Sequence, residues 1–223
     1  MLQFEGGLEV RRETGDDDDP DTDSYEFPDP TLRLGVARNF ELRLVADGLV
    51  YQDRGGASNR ATGSDLSAGF KLRLMQQQSA WPALGALVEL SFPTGSEAVT
   101  SGGFDPSLRA LFQWGFAEHW NVVANLGFSA PTQGDDDPSR VFRLAPALSL
   151  ELQLGSGLGS YVEYFGAYET GGNADEHGID GGFTWLVNDD LMLDLWAGGG
   201  LNDAAPEWQV GAGASWRFRL WCP

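Results

Sequence analysis

Charged residues along this chain fall repeatedly on one phase of a two-residue alternation, and their signs are segregated. Arg33, Arg43, Lys71, Arg73, Arg109 and Arg143 come first, and Glu163, Asp180 and Asp194 come later, with Glu89, Glu151 and Arg217 on the same phase. Side chains like these can act in two ways. Facing each other across water, a basic and an acidic wall create a transverse field over a pore. In direct contact they pair and close the space. Both follow from one rule, that a charge withdrawn from bulk water must find a partner or keep some water.

Covalent chemistry has no comparable signal. The histidines are His119 and His177, and neither has a serine at a spacing that predicts contact, so no nucleophile, base and orienting group assemble. The expectation is a protein that is not an enzyme and uses no metal or cofactor. Two acidic runs, "GDDDDPDTDS" from Gly15 and "GDDDP" from Gly134, lack the D-x-[DN]-x-[DN]-G spacing of a calcium loop. They read as solvated loops that keep a rim soluble. The alternative is divalent-cation binding that bridges to lipopolysaccharide.

The elements that must position the charges are β-strands. In "LRALFQWGFAEHWNVVANLGF", Leu108, Ala110, Phe112, Trp114 and Phe116 alternate with Arg109, Leu111, Gln113 and Gly115. After a tight turn, Trp120, Val122, Ala124, Leu126 and Phe128 do the same. Period two gives one oily face and one mostly polar face. The pattern recurs from Leu2–Val10 to Trp208–Phe218 and predicts about twelve strands, each near the ~9–11 residues a tilted membrane strand needs. Short connections (37–39, 77–82, 117–119, 153–157, 187–190) alternate with long polar ones (14–24, 52–65, 94–104, 131–140, 169–176). That is the up-and-down pattern of outer-membrane barrels, with both termini at the short-turn end. Counted from the short turns, Arg73, Glu89, Arg109, Glu163, Asp180 and Asp194 fall near mid-height.

Composition narrows the class. A formal net charge of −19 excludes a nucleic-acid partner, because phosphate binding needs a basic surface. The 223 residues suit one large all-β domain. No apolar run reaches the ~18 residues of a membrane helix. The sole cysteine, Cys222, leaves no internal disulfide. No signal peptide precedes the first strand, which for an outer-membrane protein implies the mature chain with an initiator Met.

Which face points inward decides the function. About twelve strands close a cylinder too wide for side chains to fill, so its interior holds water or a plug, and a polar interior fits. Aromatics also cluster at both strand ends. Phe40, Trp81, Trp114, Phe116, Trp120, Trp185, Trp216 and Phe218 lie near the short turns, and Phe27, Tyr51, Phe92, Phe128, Phe142 and Trp208 near the long loops. Two membrane interfaces select such paired belts. A soluble β-sandwich shares the alternation but accounts for neither the belts nor the alternating loop lengths.

The segments "LRLGVARNFELRL", "GSDLSAGFKLRL", "LSFPTG" and "HGIDGGFTWLVNDDLMLDLWAGGGLNDAAPEWQVGAGASWRF" resemble the outer-membrane barrel family associated with the meta-pathway of phenol degradation. The resemblance implies a monomeric barrel in the bacterial outer membrane with a transport role, suggests hydrophobic or aromatic solutes, and supplies no catalytic residues. Such barrels commonly finish on the aromatic of the last strand, here Phe218, whereas this chain continues with Arg219-Leu220-Trp221-Cys222-Pro223. The expectation is therefore one transmembrane up-and-down antiparallel barrel over residues 1–218 with a short tail over 219–223. Its partners are the bilayer, with lipopolysaccharide as a candidate, and a small solute. It passes solutes passively, or else is closed by a salt-bridged lumen.

Overall fold

The structure is a computed structural model that describes residues 1–15, 21–46, 48–53, 60–96, 100–132, 139–170 and 175–219. The described strands are β1 (Leu2–Glu13), β2 (Thr22–Phe27), β3 (Thr31–Ala37), β4 (Phe40–Ala46), β5 (Leu49–Asp53), β6 (Arg60–Gly63), β7 (Leu66–Met75) and β8 (Ala83–Phe92). They continue as β9 (Asp105–Ala117), β10 (Trp120–Ser129), β11 (Arg143–Gly155), β12 (Leu158–Glu169), β13 (Glu176–Asn188), β14 (Leu191–Gly200) and β15 (Trp208–Phe218). Every pairing is antiparallel. β15 returns to β1 in register from Leu2↔Phe218 to Arg12↔Trp208 and closes the sheet.

The closed barrel has twelve strand positions around its wall. Three are interrupted and filled by two segments each: β2 with β3, β4 with β5, and β6 with β7. The breaks have local causes. Pro28 and Pro30 bring no backbone N–H to the ladder, and Asp29 between them has a left-handed φ of 47°. Opposite lies Gly48, where an added Cβ would come within 2.8 Å of the Asp29 nitrogen. The wall is mended by irregular bonds, from Gly7 N to Pro28 O at 2.7 Å and from Ala46 N to Pro30 O at 3.0 Å.

The structure extends strands into two stretches expected to be loops. β2 starts at Thr22, inside 14–24, and β6 lies within 52–65. Arg60-Ala61-Thr62-Gly63 shows no apolar alternation, so hydrophobic patterning misses it, and its β-structure comes from pairing with β5 from Leu49↔Gly63 to Gln52↔Arg60. The acidic run after Gly15 (16–20), the run 134–138 and the tail beyond Arg219 lie outside the described residues.

The oily face points outward. Leu44, Leu148 and Leu195 are 57 %, 54 % and 62 % exposed, and none of the described large side chains is fully buried. The buried side chains include polar ones, among them Gln3, Ser149 and Gln209. A soluble sandwich would have the opposite distribution. The aromatic belts sit on the same outer face. At the short-turn end Trp216 stacks on Phe218, Phe40 on Phe70, and Trp114 tilts against Phe116, while Trp81, Trp120 and Trp185 are exposed. At the long-loop end Tyr25 packs on Tyr51, and the Arg12 guanidinium lies 6.0 Å from the Trp208 ring.

Leu148 and Glu151 share β11 but face opposite ways, which gives a direct test. Leu148→Arg should lose roughly 2–4 kcal/mol of folding stability in a lipid-refolding titration, the cost of Arg near a bilayer midplane. Glu151→Arg, on the lumen face, should fold with little change. Equal costs would invert the assignment of faces.

Candidate functional site

The lumen is lined by the inward phase of every strand, and its charges fall into two systems. In the first, Arg33 of β3 stands directly opposite Arg43 of β4 in the ladder. Like charges in that position repel, so carboxylates from flanking strands must compensate. Glu41 takes Arg33 in a two-pronged contact, with Nε to Oε1 at 2.8 Å and Nη2 to Oε2 at 3.1 Å. Glu5 of β1 holds the other side of Arg33 at 2.6 Å. Arg43 lies 3.8 Å from Glu41 and 3.9 Å from Glu89 of β8. Gln3 extends the chain of contacts, donating to Glu5 Oε1 at 2.5 Å and accepting from Arg217 Nε at 3.0 Å. The result is a continuous polar belt along β15, β1, β3, β4 and β8. Bidentate, charge-assisted bonds of this kind are the strong members of their class.

The second system lies on β11 to β14. Glu163 is directly opposite Asp180, Glu151 opposite Tyr161, and Asp194 opposite Thr184 and Gly213. Glu151, Glu163, Asp180 and Asp194 form no ion pair among the described residues. Asp180 Oδ1 also has no hydrogen-bond partner among them. Lys71, Arg73 and Arg109 likewise make no ion pair among the described residues. Arg143, nearer the long loops, binds Glu169 at 3.4 Å and Glu176 at 3.5 Å.

Each of these pairs lies within one strand or joins strands that are neighbours, or next neighbours, in the wall. Among the described residues none crosses the barrel from one side to the other. Cavities lie along the wall, each bordered by neighbouring strands. One of about 220 Å³ is bordered by Glu5, Glu9, Asp29, Asp194 and Trp196, and one of about 210 Å³ by Lys71, Arg73, Leu111, Gln113 and Asn125. A third, of about 270 Å³, lies beside Glu89, Asp105 and Ser129. Each has room for several waters at about 30 Å³ apiece.

Sequence reasoning did not single out Glu5, Glu41 or Gln3, although all three share the phase of Arg33. Their signal is diagonal: Glu41 lies two residues from Arg43, beside the guanidinium of the facing strand. It also passed over Trp196, which points inward two residues beyond Asp194. Its ring lies across Gly211, where a Cβ would collide with the indole. The long-loop rim is set by buried Asp65, which accepts from Gly95 N at 2.7 Å and Thr100 Oγ1 at 3.2 Å. Beside it Asp105 accepts from Thr132 N at 2.9 Å and Oγ1 at 2.8 Å, and pairs with Arg140 at 3.3 Å.

The two histidines lie at opposite ends of the barrel wall, His177 at the start of β13 and His119 in the turn between β9 and β10. His177 Nδ1 lies 2.6 Å from the Tyr164 hydroxyl, which is 3.3 Å from the Tyr168 hydroxyl, within the outer aromatic belt. His119 occupies a short turn, where its carbonyl accepts from Gln153 N at 2.8 Å. No group of three or more His, Cys, Asp or Glu among the described residues could hold a metal ion.

Residues 5–218 match the family described as "Putative MetA-pathway of phenol degradation". No curated protein sequence matches the chain. Among solved structures it is similar to the COG4313 outer membrane channel from Pseudomonas putida F1, with a TM-score of 0.70 and 14% identity, over 97% of this chain and 95% of that one. The KdgM porin aligns at a TM-score of 0.59 and 9% identity over 97% and 99%. The transport unit of the autotransporter AIDA-I from Escherichia coli aligns at 0.61 and 10% over 97% and 89%. At these identities the likeness is one of fold.

The polar belt makes a stability prediction. Arg33→Met leaves Glu5 and Glu41 facing each other without their shared cation. It should cost on the order of 1–3 kcal/mol in lipid refolding, the scale of hydrogen bonds to charged groups. Adding Glu41→Gln to Arg33→Met should recover part of the loss, and purely additive losses would show that the pair is not coupled.

Proposed function

The chain belongs to the family described as "Putative MetA-pathway of phenol degradation", and from that premise we propose that it lets small solutes move passively through its lumen across the bacterial outer membrane. The observation that carries this reading is the direction of the ion pairs. Among the described residues they run along the wall and none crosses the axis, the direction that direct closure by ion pairs would take. The similarity in fold to the COG4313 outer membrane channel and the KdgM porin agrees with it. One chain closes the sheet by itself, which supports a monomer as the working unit.

The family description favours hydrophobic or aromatic compounds as the solutes. Tyr161, Phe165 and Trp196 add inward-facing rings, and Leu87 and Leu111 add apolar contacts, to an otherwise polar path. Flat solutes with one polar group could slide between these surfaces while the polar group stays hydrated. The rival is a closed structural barrel, in which the unpaired charges of the two walls meet directly.

A single-channel recording in a planar bilayer separates the two. The purified protein should give discrete conductance steps, and Asp180→Asn should still conduct and refold with little loss of stability, because it breaks no ion pair among the described residues. Wild-type protein that is electrically silent, together with Asp180→Asn that leaks and loses on the order of 3–5 kcal/mol, is the pattern of a broken buried pair. It would replace the conduit with the closed barrel.

A further inference from the structure

We propose that the lumen selects for cations and that their path follows the β11–β14 wall, an inference that rests on the conduit reading above. Two independent features of the charge distribution lead to it.

The first is the stoichiometry of the ion pairs. Arg33 and Arg43 share three carboxylates, Glu5, Glu41 and Glu89. Arg11 lies between Glu9 at 3.8 Å and Glu13 at 3.6 Å. Arg143 lies between Glu169 and Glu176. The Arg33–Arg43 and Arg11 clusters thus hold more carboxylates than guanidiniums, so pairing consumes their positive charge and leaves a negative remainder.

The second is the arrangement of the groups that form no ion pair among the described residues. Lys71, Arg73 and Arg109 stand on β7 and β9, whereas Glu151, Glu163, Asp180 and Asp194 occupy four consecutive strands. Glu163 and Asp180 face each other in the ladder with no cation bound to either among the described residues. Fixed charge that the protein does not neutralise must be neutralised by mobile ions, and a low-dielectric wall focuses that field into the channel. Rows of carboxylates lining a pore act as cation filters for this reason. Tyr161 and Trp196 lie among these carboxylates, and their ring faces attract cations as well. The solute class that fits is a small cation, and an organic ammonium carrying an apolar body meets both the carboxylates and the rings.

The experiment is the reversal potential of the purified barrel in a planar bilayer under a potassium chloride gradient. Wild type should reverse on the potassium side of zero. The double variant Glu163→Gln with Asp180→Asn should move toward zero, and Arg109→Gln should move farther to the potassium side. Each variant is first checked for the heat-modifiable gel shift of a closed barrel. The single variants Glu163→Gln and Asp194→Asn replace the double one if it does not close. Open channels that show no preference, or favour chloride, overturn cation selection but leave the conduit in place. Potassium selectivity unchanged in the neutralised variants overturns the assigned path. A wild-type protein with no conductance overturns the conduit itself, and this inference with it.

Discussion

Closure of the sheet is the constraint on which everything else depends. A strand facing hydrocarbon has no water for its backbone, so each N–H and C=O must be met within the wall, and an open edge would be costly along its whole length. The pairing of β1 with β15 removes that edge. The same requirement explains the repairs at the three interrupted positions. Where Pro28 and Pro30 break the ladder, Gly7 and Ala46 donate to the proline carbonyls. Only a residue without a Cβ at Gly48 lets the facing strand approach closely enough.

Once the wall is closed, its two faces answer to different solvents. The outer face gains nothing from polar groups, and the large exposed side chains there are aliphatic or aromatic. The inner face encloses a space that twelve strands make too wide to fill with side chains, so the charges on it need not pair across the axis. They find partners where the ladder puts them within reach, two residues along the same strand, on the next strand or on the one after. That is why Arg33 takes Glu5 and Glu41, and why no pair among the described residues spans the bore. Stability is thereby assigned to the wall.

The sequence made the wall legible and the lumen less so. Alternation is a local property, so the outward set from Phe4 to Phe218 and the aromatic belts could be read directly. Partner choice is not local. Arg33 and Arg43 were visible as lumen charges, but that they stand opposite each other depends on the register of one hairpin, and register is what makes Glu5 and Glu41 necessary. Trp196 was missed because an inward-facing aromatic breaks the polar alternation, and only the glycine of the neighbouring strand reveals the space made for it. β6 was missed for a different reason: Arg60-Ala61-Thr62-Gly63 carries no apolar alternation to read.

The facing carboxylates of Glu163 and Asp180 show how the two demands meet. In a packed interior such a pair would be intolerable without a shared proton or a cation. Here the backbone ladder on both flanks fixes β12 and β13 whatever their side chains do. Repulsion between the two groups can be relieved by water and mobile ions, and it is not relieved by unfolding the wall. A closed barrel can therefore hold uncompensated charge at a chosen point of its lumen at little cost to the fold. A helical bundle, whose stability comes from the interior itself, cannot. The charge pattern of β11–β14 is free to answer to what passes, because the hydrogen bonds around it already answer to the membrane.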